Sequence, residues 1–197
     1  MNLEVLNRYH PLRADVEHYI KNQYQIIFGA TIKTFPSILI ALVENHNIKA
    51  ACGMRTNLDG YFSQIYCDVQ LQKIILNQEQ AKVDAKIFEI VNLVTSSPIA
   101  SIKLIKAINK FLHDRKVDYV VFAASQSLRF FLQAMGLQLH TICSADKTRI
   151  ASPQDWGTYY ETNPLVCYTE VPTFSFSLLF KNLKKNNSYA EVASIAQ

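Results

Sequence analysis

The sequence predicts a mixed α/β fold in a single domain, and three observations lead to that prediction. Apolar runs typical of strands alternate with helical patterns from residue 86 to residue 143, an order that indicates parallel crossover units. Two earlier apolar runs, at residues 37–43 and 48–54, predict a β-hairpin. Of the 197 residues, 49% are hydrophobic and 18% are charged, which is enough apolar material for one core.

The first elements are a short strand and an amphipathic helix. Leu3 and Val5 alternate with polar residues and predict the strand. The helix follows Pro11 and is expected to end near Gly29, because apolar residues recur there at helical spacing: Val16, Tyr19, Ile20, Tyr24 and Ile27. In the hairpin that comes next, residues 44–47 include two asparagines, which tolerate turn conformations.

The middle of the chain continues the pattern. Residues 61–69 are predicted as a third strand or a lid-like segment, and residues 71–80 as a short helix. A β-rich run at 86–95 is followed by Ser96, Ser97 and Pro98, a cap and first-turn signal for a helix at 99–113. The remaining expected elements are a strand at 117–123, a helix at 126–135 closed by Gly136, and a strand at 137–143.

A loop at residues 144–164 and a strand at 165–171 complete the predicted core. From Phe174 the chain is expected to form another helix or strand, and residues 181–197 read as a polar tail. The sequence therefore predicts one domain over residues 1–180.

Composition excludes several classes of protein. The net charge of +4 comes without an arginine-rich run, so a nucleic-acid partner is not expected. No apolar run reaches the roughly 20 residues of a membrane-spanning helix, and the first ten residues lack the features of a secretory signal. The four cysteines form no CxxC pair and are expected to be reduced, buried thiols of a cytoplasmic protein. No ligand spacing typical of a metal site is present, so no metal is expected.

Three segments carry a resemblance to a known family. Residues 28–36 read FGATIKTFP, residues 89–94 read EIVNLV and residues 155–160 read DWGTYY, and all three look like segments of the thermostable hemolysin family. The similarity runs from about residue 10 to residue 170. The order of elements also resembles that of GNAT acyltransferases and the related acyl-homoserine-lactone synthases. This resemblance implies a GNAT-like three-layer α/β/α sandwich around a mixed, mostly antiparallel sheet.

The resemblance also implies an activity, the transfer of an acyl group from a thioester to a small amine or amino-acid-like acceptor. Autoinducer synthases have a glycine-x-arginine and an acidic residue at positions comparable to Gly53, Arg55 and Glu89. In such an enzyme Glu89 would accept or orient an amine proton, and Arg55 would hold a carboxylate or Glu89 itself. The alternative is a structural ion pair between the two.

The donor would be an acyl chain on acyl carrier protein or coenzyme A. GNAT enzymes splay their fourth and fifth strands and bind the pantetheine arm on the fourth, and its pyrophosphate on the next helix N-terminus. The residues this implies are Asn92, Leu93, Val94, Thr95, Ser96, Ser97 and Ser101. Both glycines of the superfamily's phosphate loop are replaced, by Ile99 and Ser101, which favours the carrier protein over coenzyme A; Ser96 or Ser97 could equally be a simple N-cap.

Two further expectations concern the surroundings of this site. A cleft is expected near Leu93 and Tyr119, open to the face of Lys103. The tyrosine that many superfamily members use as general acid falls on Leu132.

The excess positive charge is concentrated on the helix after the serine loop. Residues 101–116 contain five basic side chains and one acidic one. Lys103, Lys106 and Lys110 have spacings that place them on one helical face, which could meet an acidic acyl carrier protein or could simply be solvated.

Other functions stay open at this level. The family name suggests a membrane-active haemolytic protein, and only in that case is membrane contact expected. The lost glycines and missing tyrosine are compatible with a catalytically silent GNAT-like binding module. Residues 155–161 place Trp156 and two tyrosines in a loop, where they could serve function or pack the loop onto the core.

Overall fold

The sheet elements and helices follow the predicted order closely. A computed structural model of the chain describes residues 1–80 and 83–172. Its strands are β1 (Asn2–Leu6), β2 (Ile38–Glu44), β3 (Asn47–Arg55), β4 (Ile87–Thr95), β5 (Tyr119–Ala124), β6 (His140–Ser144) and β7 (Leu165–Glu170). Its α-helices are α1 (Arg13–Phe28), α2 (Leu71–Gln78), α3 (Pro98–Asp114) and α4 (Gln126–Ala134), and 3₁₀ helices occupy Phe62–Tyr66, Lys147–Arg149, Pro153–Trp156 and Tyr159–Thr162.

In the described part of the chain the strands form a seven-stranded sheet of order β1-β2-β3-β4-β5-β7-β6. Every neighbouring pair is antiparallel except β4 and β5, which are parallel and joined by the crossover helix α3. The chain also crosses from β5 through α4 to β6, but β7 inserts between these two strands. The predicted mixed, mostly antiparallel sheet is therefore confirmed.

The helices form one layer on each face of the sheet. On one face, α3 and α4 pack against side chains of the central strands, for example Leu104 and Phe131 with Ile40 and Phe122. On the other face, α1 packs over β1 to β4, and α2 packs over β4, β5 and β7. This three-layer α/β/α arrangement is the architecture that the family resemblance implies.

Local signals explain where the elements end. Gly29 follows α1 with a left-handed φ of 66°, and its N–H donates to the carbonyl of Gln25. Asn45 and His46 both have positive φ between β2 and β3, as a tight hairpin turn requires. At the start of α3 the Ser97 hydroxyl accepts the N–H of Ala100, and Pro98 occupies the first turn.

Two sequence expectations change in the structure. Residues 61–69 do not add a strand. They contain the 3₁₀ helix Phe62–Tyr66, whose first two N–H groups bind Glu89. Burial was expected for the cysteines, yet Cys67 and Cys143 are partly exposed, with their Sγ atoms 3.2 Å apart. The predicted element from Phe174, the domain boundary at residue 180 and the tail at 181–197 lie outside the described residues.

Candidate active site

The central feature of the site is a gap in the sheet between β4 and β5. Within the described residues these strands pair only over Ile87–Glu89 and Tyr119–Val121. Beyond Glu89, β4 has a bulge: Val91 pairs with Gly53 and Val94 with Ala51, so that two residues of β4 face the single residue Cys52 of β3. Asn92 takes the left-handed conformation there, with a φ of 54°. The bulge bends β4, and its edge towards β5 carries no ladder from residue 90 on.

A cavity of about 330 Å³ occupies this gap and passes from one face of the sheet to the other. The part of the cavity in the layer of α3 and α4 has a mostly apolar lining. The apolar residues that line it there are Ile105, Ile108, Leu112, Val120, Phe122, Leu128, Leu132 and Leu137. The end on the face of α1 and α2 has a mixed lining. It contains the polar side chains of Thr31, Lys33, Thr34, Arg55, Ser63 and Asp155 and the aromatic side chains of Tyr24, Phe28, Phe62, Tyr66, Trp156 and Tyr159. The cavity thus combines an apolar part with an end, called the mouth below, where polar and aromatic side chains mix.

The location of the expected cleft needs one correction. Leu93 lines the cavity as expected, but Tyr119 does not, because it pairs with Ile87 at the closed end of the gap and packs with Tyr168 beneath α2. The gap also does not open onto Lys103. The inward face of α3 contributes Ile105 and Leu112 to the cavity, and its lysines are absent from the lining.

Two segments far apart in sequence form the mouth of the cavity together. The N–H of Thr31 donates to the carbonyl of Asp155 at 2.6 Å, and the N–H of Thr158 donates to the carbonyl of Phe28 at 2.8 Å. Lys33 Nζ also lies 2.5 Å from Asp155 Oδ2. Gly157 permits this close approach, since its φ is 50° and a Cβ atom there would collide with the Phe28 carbonyl oxygen.

Aromatic side chains fill the space behind these contacts. Trp156 packs against Phe62, Tyr159 and Tyr160 with ring centroids 5.5–6.1 Å apart. Tyr159 in turn meets Phe28 edge-to-face. Trp156 and Tyr159 also line the cavity, so the loop both packs onto the core and shapes the site. The three segments that carry the family resemblance, 28–36, 89–94 and 155–160, thus meet around one cavity.

Arg55 and Glu89 are register partners across β3 and β4, with both side chains on the face of α1 and α2. They form no ion pair within the described structure. Arg55 Nη1 instead donates to the carbonyls of Asp59 and Gly60, at 3.2 and 3.0 Å. Glu89 accepts the N–H of Phe62 at 2.6 Å and that of Ser63 at 2.8 Å. The two side chains therefore do not form the structural ion pair considered from the sequence. Each binds backbone groups of residues 59–63 separately, Arg55 the carbonyls and Glu89 the N–H groups.

Burial dominates the electrostatics of Glu89. Its side chain is fully buried, and desolvation raises the pKa of its carboxyl. The Ser63 side chain, the backbone amides of residues 62 and 63 and the positive charge of Arg55 oppose this rise in pKa. Glu89 does not itself line the cavity, whereas Arg55 and Ser63 do.

The residues predicted to bind the acyl donor fall into two groups. Asn92 and Leu93 line the cavity, while Val94 is buried towards α1. The second group, Thr95, Ser96, Ser97 and Ser101, lies at the start of α3 and forms hydrogen bonds within the protein. Thr95 Oγ1 lies 2.6 Å from Ser101 Oγ, Ser97 caps the helix, and the N–H of Ser96 donates to the carbonyl of Lys49. Donor binding by both groups stays a prediction.

The three lysines of α3 lie on its solvent side. Lys103 and Lys110 are exposed, and Lys106 is half-buried, which lowers its pKa. Lys110 forms an ion pair with Asp114 at 2.6 Å, so part of the local positive charge is neutralised. Docking of a carrier protein on these lysines stays a prediction.

Sequence reasoning missed Phe62 and Ser63. Their role depends on backbone N–H groups and one small hydroxyl, for which no sequence pattern is diagnostic. The ion pair between Lys33 and Asp155 joins two of the segments that carry the family resemblance. The sequence contains no other indication that these two residues lie close together. In the described residues no group of three or more His, Cys, Asp or Glu side chains is placed to hold a metal ion. No helix among them is both long and apolar enough to cross a bilayer.

Comparison with solved structures places the fold. The AHL synthase LasI matches with a TM-score of 0.59 and 8% identity, over 87% of this chain and 90% of that chain. FeeM, an N-acyl amino acid synthase from uncultured soil microbes, matches with a TM-score of 0.60 and 12% identity, over 91% and 99%. MesI, a CoA-dependent acyl-homoserine lactone synthase, matches with a TM-score of 0.61 and 11% identity, over 93% and 95%. The fold is therefore that of GNAT-like acyltransferases.

Comparison by sequence gives one positive result. The family model described as thermostable hemolysin matches residues 6–174. No curated protein sequence matches significantly.

Proposed function

Since the chain belongs to the thermostable hemolysin family and shares the fold of acyl-transferring synthases, we propose that it is an N-acyltransferase. The reaction moves an acyl group from a thioester to a small amine. The thioester is carried by acyl carrier protein or coenzyme A.

One observation carries this proposal: the cavity that passes through the sheet where β4 leaves β5. A thioester arm of the pantetheine type contains amide groups, which can pair with an unpaired strand edge as another strand would. The edge of β4 from residue 90 offers such backbone groups beside Asn92 and Leu93. From that position an acyl chain extends into the apolar part of the cavity, where burial of its methylene groups is favourable.

The mouth is the place for the acceptor. Arg55 lines it with a guanidinium group that is only partly committed to backbone carbonyls, so it can pair with an acceptor carboxylate. This favours an amino-acid-like amine, and the fold neighbour FeeM is an N-acyl amino acid synthase. In the reaction the amine nitrogen attacks the thioester carbonyl carbon, a C–N bond forms and the C–S bond breaks. The proton that the nitrogen loses neutralises the leaving thiolate, so that the products are an amide and a thiol.

The start of α3 bears on the choice of carrier. The hydroxyls of Ser97 and Ser101 are already bonded within the protein, and the side chains at residues 99 and 101 crowd the backbone where glycines would leave room for phosphate. A carrier protein presents one phosphate at this point and has an acidic surface that the exposed Lys103 can meet. We therefore favour acyl carrier protein as the donor's carrier.

Thiol release tests the proposal. The purified protein is mixed with acyl thioesters of different chain length and with amino acids or simple amines, and free thiol is measured over time. The expected result is amine-dependent release that Glu89→Gln abolishes and the exposed-site control Glu161→Gln leaves unchanged. No release with any thioester on either carrier would contradict the proposal and favour a silent binding module.

A further inference from the structure

Cys67 and Cys143 form a pair of neighbouring thiols. Their Sγ atoms lie 3.2 Å apart, although the two residues are 76 positions apart in sequence, and both side chains are partly exposed. Because an S–S bond is about 2.05 Å long, the two sulfur atoms need to approach by only about 1.2 Å to form one. The other two cysteines of the chain, Cys52 and Cys167, are fully buried.

The fold brings the two thiols together from separate elements. Cys67 directly follows the 3₁₀ helix Phe62–Tyr66, and Cys143 lies on β6, the last strand in the described order of the sheet. A bulge in β6 between Thr141 and Cys143 shifts its register against β7 and so sets the direction of this side chain. The Cys143 thiol donates to the carbonyl of Tyr66 at 3.5 Å. The pair therefore lies where the segment beside the cavity meets β6.

The surroundings of Cys67 bear on its reactivity. Burial and the neighbouring Cys143 thiol raise the pKa of Cys67 to about 12, and the positive charge of Arg149 opposes this rise. Because the thiolate is the reactive form, Cys67 reacts slowly as long as Cys143 is a thiol. Arg149 is held beside the pair by Asp68, with Nη1 2.7 Å from Oδ1. Oxidation of Cys143 ends its contribution to the rise in pKa, and Arg149 then favours the thiolate of Cys67.

We propose that Cys67 and Cys143 are a redox modification site, which hydrogen peroxide converts into a disulfide. In the first step the Cys143 sulfur attacks a peroxide oxygen, the O–O bond breaks, and a sulfenic acid and water form. In the second step the Cys67 thiolate attacks the sulfenic sulfur, so that the S–S bond forms and the S–O bond breaks. The released hydroxide takes up the proton that Cys67 has lost. Two thiols are thus oxidised, and the peroxide is reduced to two molecules of water.

The disulfide fastens one wall of the cavity to the sheet. Phe62, Ser63 and Tyr66 line the cavity and lie just before Cys67 in the chain. Glu89 already binds the start of this segment through two backbone N–H groups. A covalent bond from Cys67 to β6 holds the other end, so local opening of the segment becomes rarer.

Peptide mapping tests whether the bond forms and where. The reduced full-length protein is treated with a small excess of hydrogen peroxide, the remaining thiols are alkylated in denaturant, and the protein is digested with trypsin. We expect peptides 56–73 and 130–147 to be linked until dithiothreitol is added, with Cys52 and Cys167 alkylated in full. Cys67→Ser and Cys143→Ser should each prevent the link.

Hydrogen exchange tests the effect on the cavity wall. The amides of residues 62–67 should exchange several-fold more slowly in the oxidised protein than in the reduced protein, because both ends of the segment are then held. Exchange in β2, which is far along the sheet, should not change. The two serine variants are the matched controls, and their exchange at residues 62–67 should be the same with and without peroxide.

Several results would overturn this inference. They are full alkylation of both cysteines, oxidation of either one to a sulfinic acid without a link, a link between two chains, or a link that leaves exchange at residues 62–67 unchanged. If a serine variant fails to fold, the peptide map and the exchange of the wild type still decide. The test uses no acyl thioester, so its failure leaves the acyltransferase proposal standing, and absence of thiol release leaves this inference standing.

Discussion

Arg55 and Glu89 face each other across β3 and β4 and hold the two ends of the same short segment. The arginine binds the carbonyls of residues 59 and 60, and the glutamate binds the amides of residues 62 and 63. The segment lies over the sheet beside the cavity, and both Phe62 and Ser63 line that cavity. Arg55 and Glu89 therefore position residues 59–63, which form one wall of the cavity, through hydrogen bonds to the backbone of that segment.

This arrangement gives Glu89 a measurable effect on stability. Because its pKa is raised in the folded protein, its contribution is fully present below the ordinary glutamate pKa of about 4.3 and is lost as pH rises through the folded pKa. Glu89→Gln should remove that slope and, at low pH, lower the free energy of unfolding by about 1–3 kcal/mol, because the amide nitrogen cannot accept an N–H.

Urea unfolding of wild type and variant over a pH series measures both effects. Other groups titrate equally in the two proteins, so their difference isolates residue 89. Glu161→Gln, at an exposed site, should run parallel to the wild type. Parallel curves for Glu89→Gln would show that its carboxyl is not perturbed.

Gly157 should be far less tolerant of alanine than Gly29. Both glycines have positive φ, but only Gly29, with a ψ of 20°, lies in the left-handed region, where an alanine costs about 1–2 kcal/mol. Gly157 has a ψ of −125°, a combination that is less accessible to alanine. At Gly157 the added methyl group also collides with the Phe28 carbonyl, whereas around Gly29 a Cβ atom meets nothing within 4 Å. We expect Gly157→Ala to lose more stability than Gly29→Ala in urea unfolding and to increase Trp156 exposure by fluorescence. Equal losses at the two sites would contradict the close contact between residues 28 and 157.

The apolar part of the cavity should set the acyl-chain length. Leu132 on α4 lines it, and Leu132→Trp would fill space at an overpacking cost of about 1–3 kcal/mol. The variant should keep activity with short acyl thioesters and lose it with long ones. Phe130→Trp, on the exposed side of the same helix, is the matched control and should leave the chain-length profile unchanged. An unchanged profile in Leu132→Trp would place the acyl chain elsewhere.

Charge reversal on α3 tests the carrier. Lys103 is exposed, so Lys103→Glu changes charge without removing packing, whereas Lys110 already has Asp114 as a partner. We expect Lys103→Glu to raise KM for an acyl carrier protein donor several-fold, more at low salt than at high salt. Lys73→Glu, exposed on α2 across the sheet, should not raise it. If Lys103→Glu and Lys73→Glu had the same KM for the acyl carrier protein donor, the lysines of α3 would be ordinary solvent-exposed residues without a role in docking.

Most of the fold follows from local patterns. The alternation of apolar runs, the glycine after α1, the asparagine in the hairpin turn and the serine cap of α3 each determine one boundary, and the structure has these boundaries within a few residues. Residues 61–69 were ambiguous because their helical turn is fixed by contacts with Glu89, 26 and 27 residues away in sequence. A segment held by a distant side chain carries no local signal of its conformation.

The site was predictable only in part. Resemblance pointed to Arg55, Glu89 and Asn92, and the structure places these residues at or beside the cavity. It could not show that Arg55 and Glu89 bind backbone groups and not each other. Ser63 was missed because its burial and its contact with Glu89 depend on packing from several elements.

A crystal structure with a non-hydrolysable acyl-pantetheine analogue tests the central claim most directly. We expect the arm to lie along residues 90–93 of β4, with its amides bonded to the free strand edge and its acyl chain between α3 and α4. Binding of the analogue at any other surface, or an unoccupied gap between β4 and β5 at saturating concentration, would contradict it.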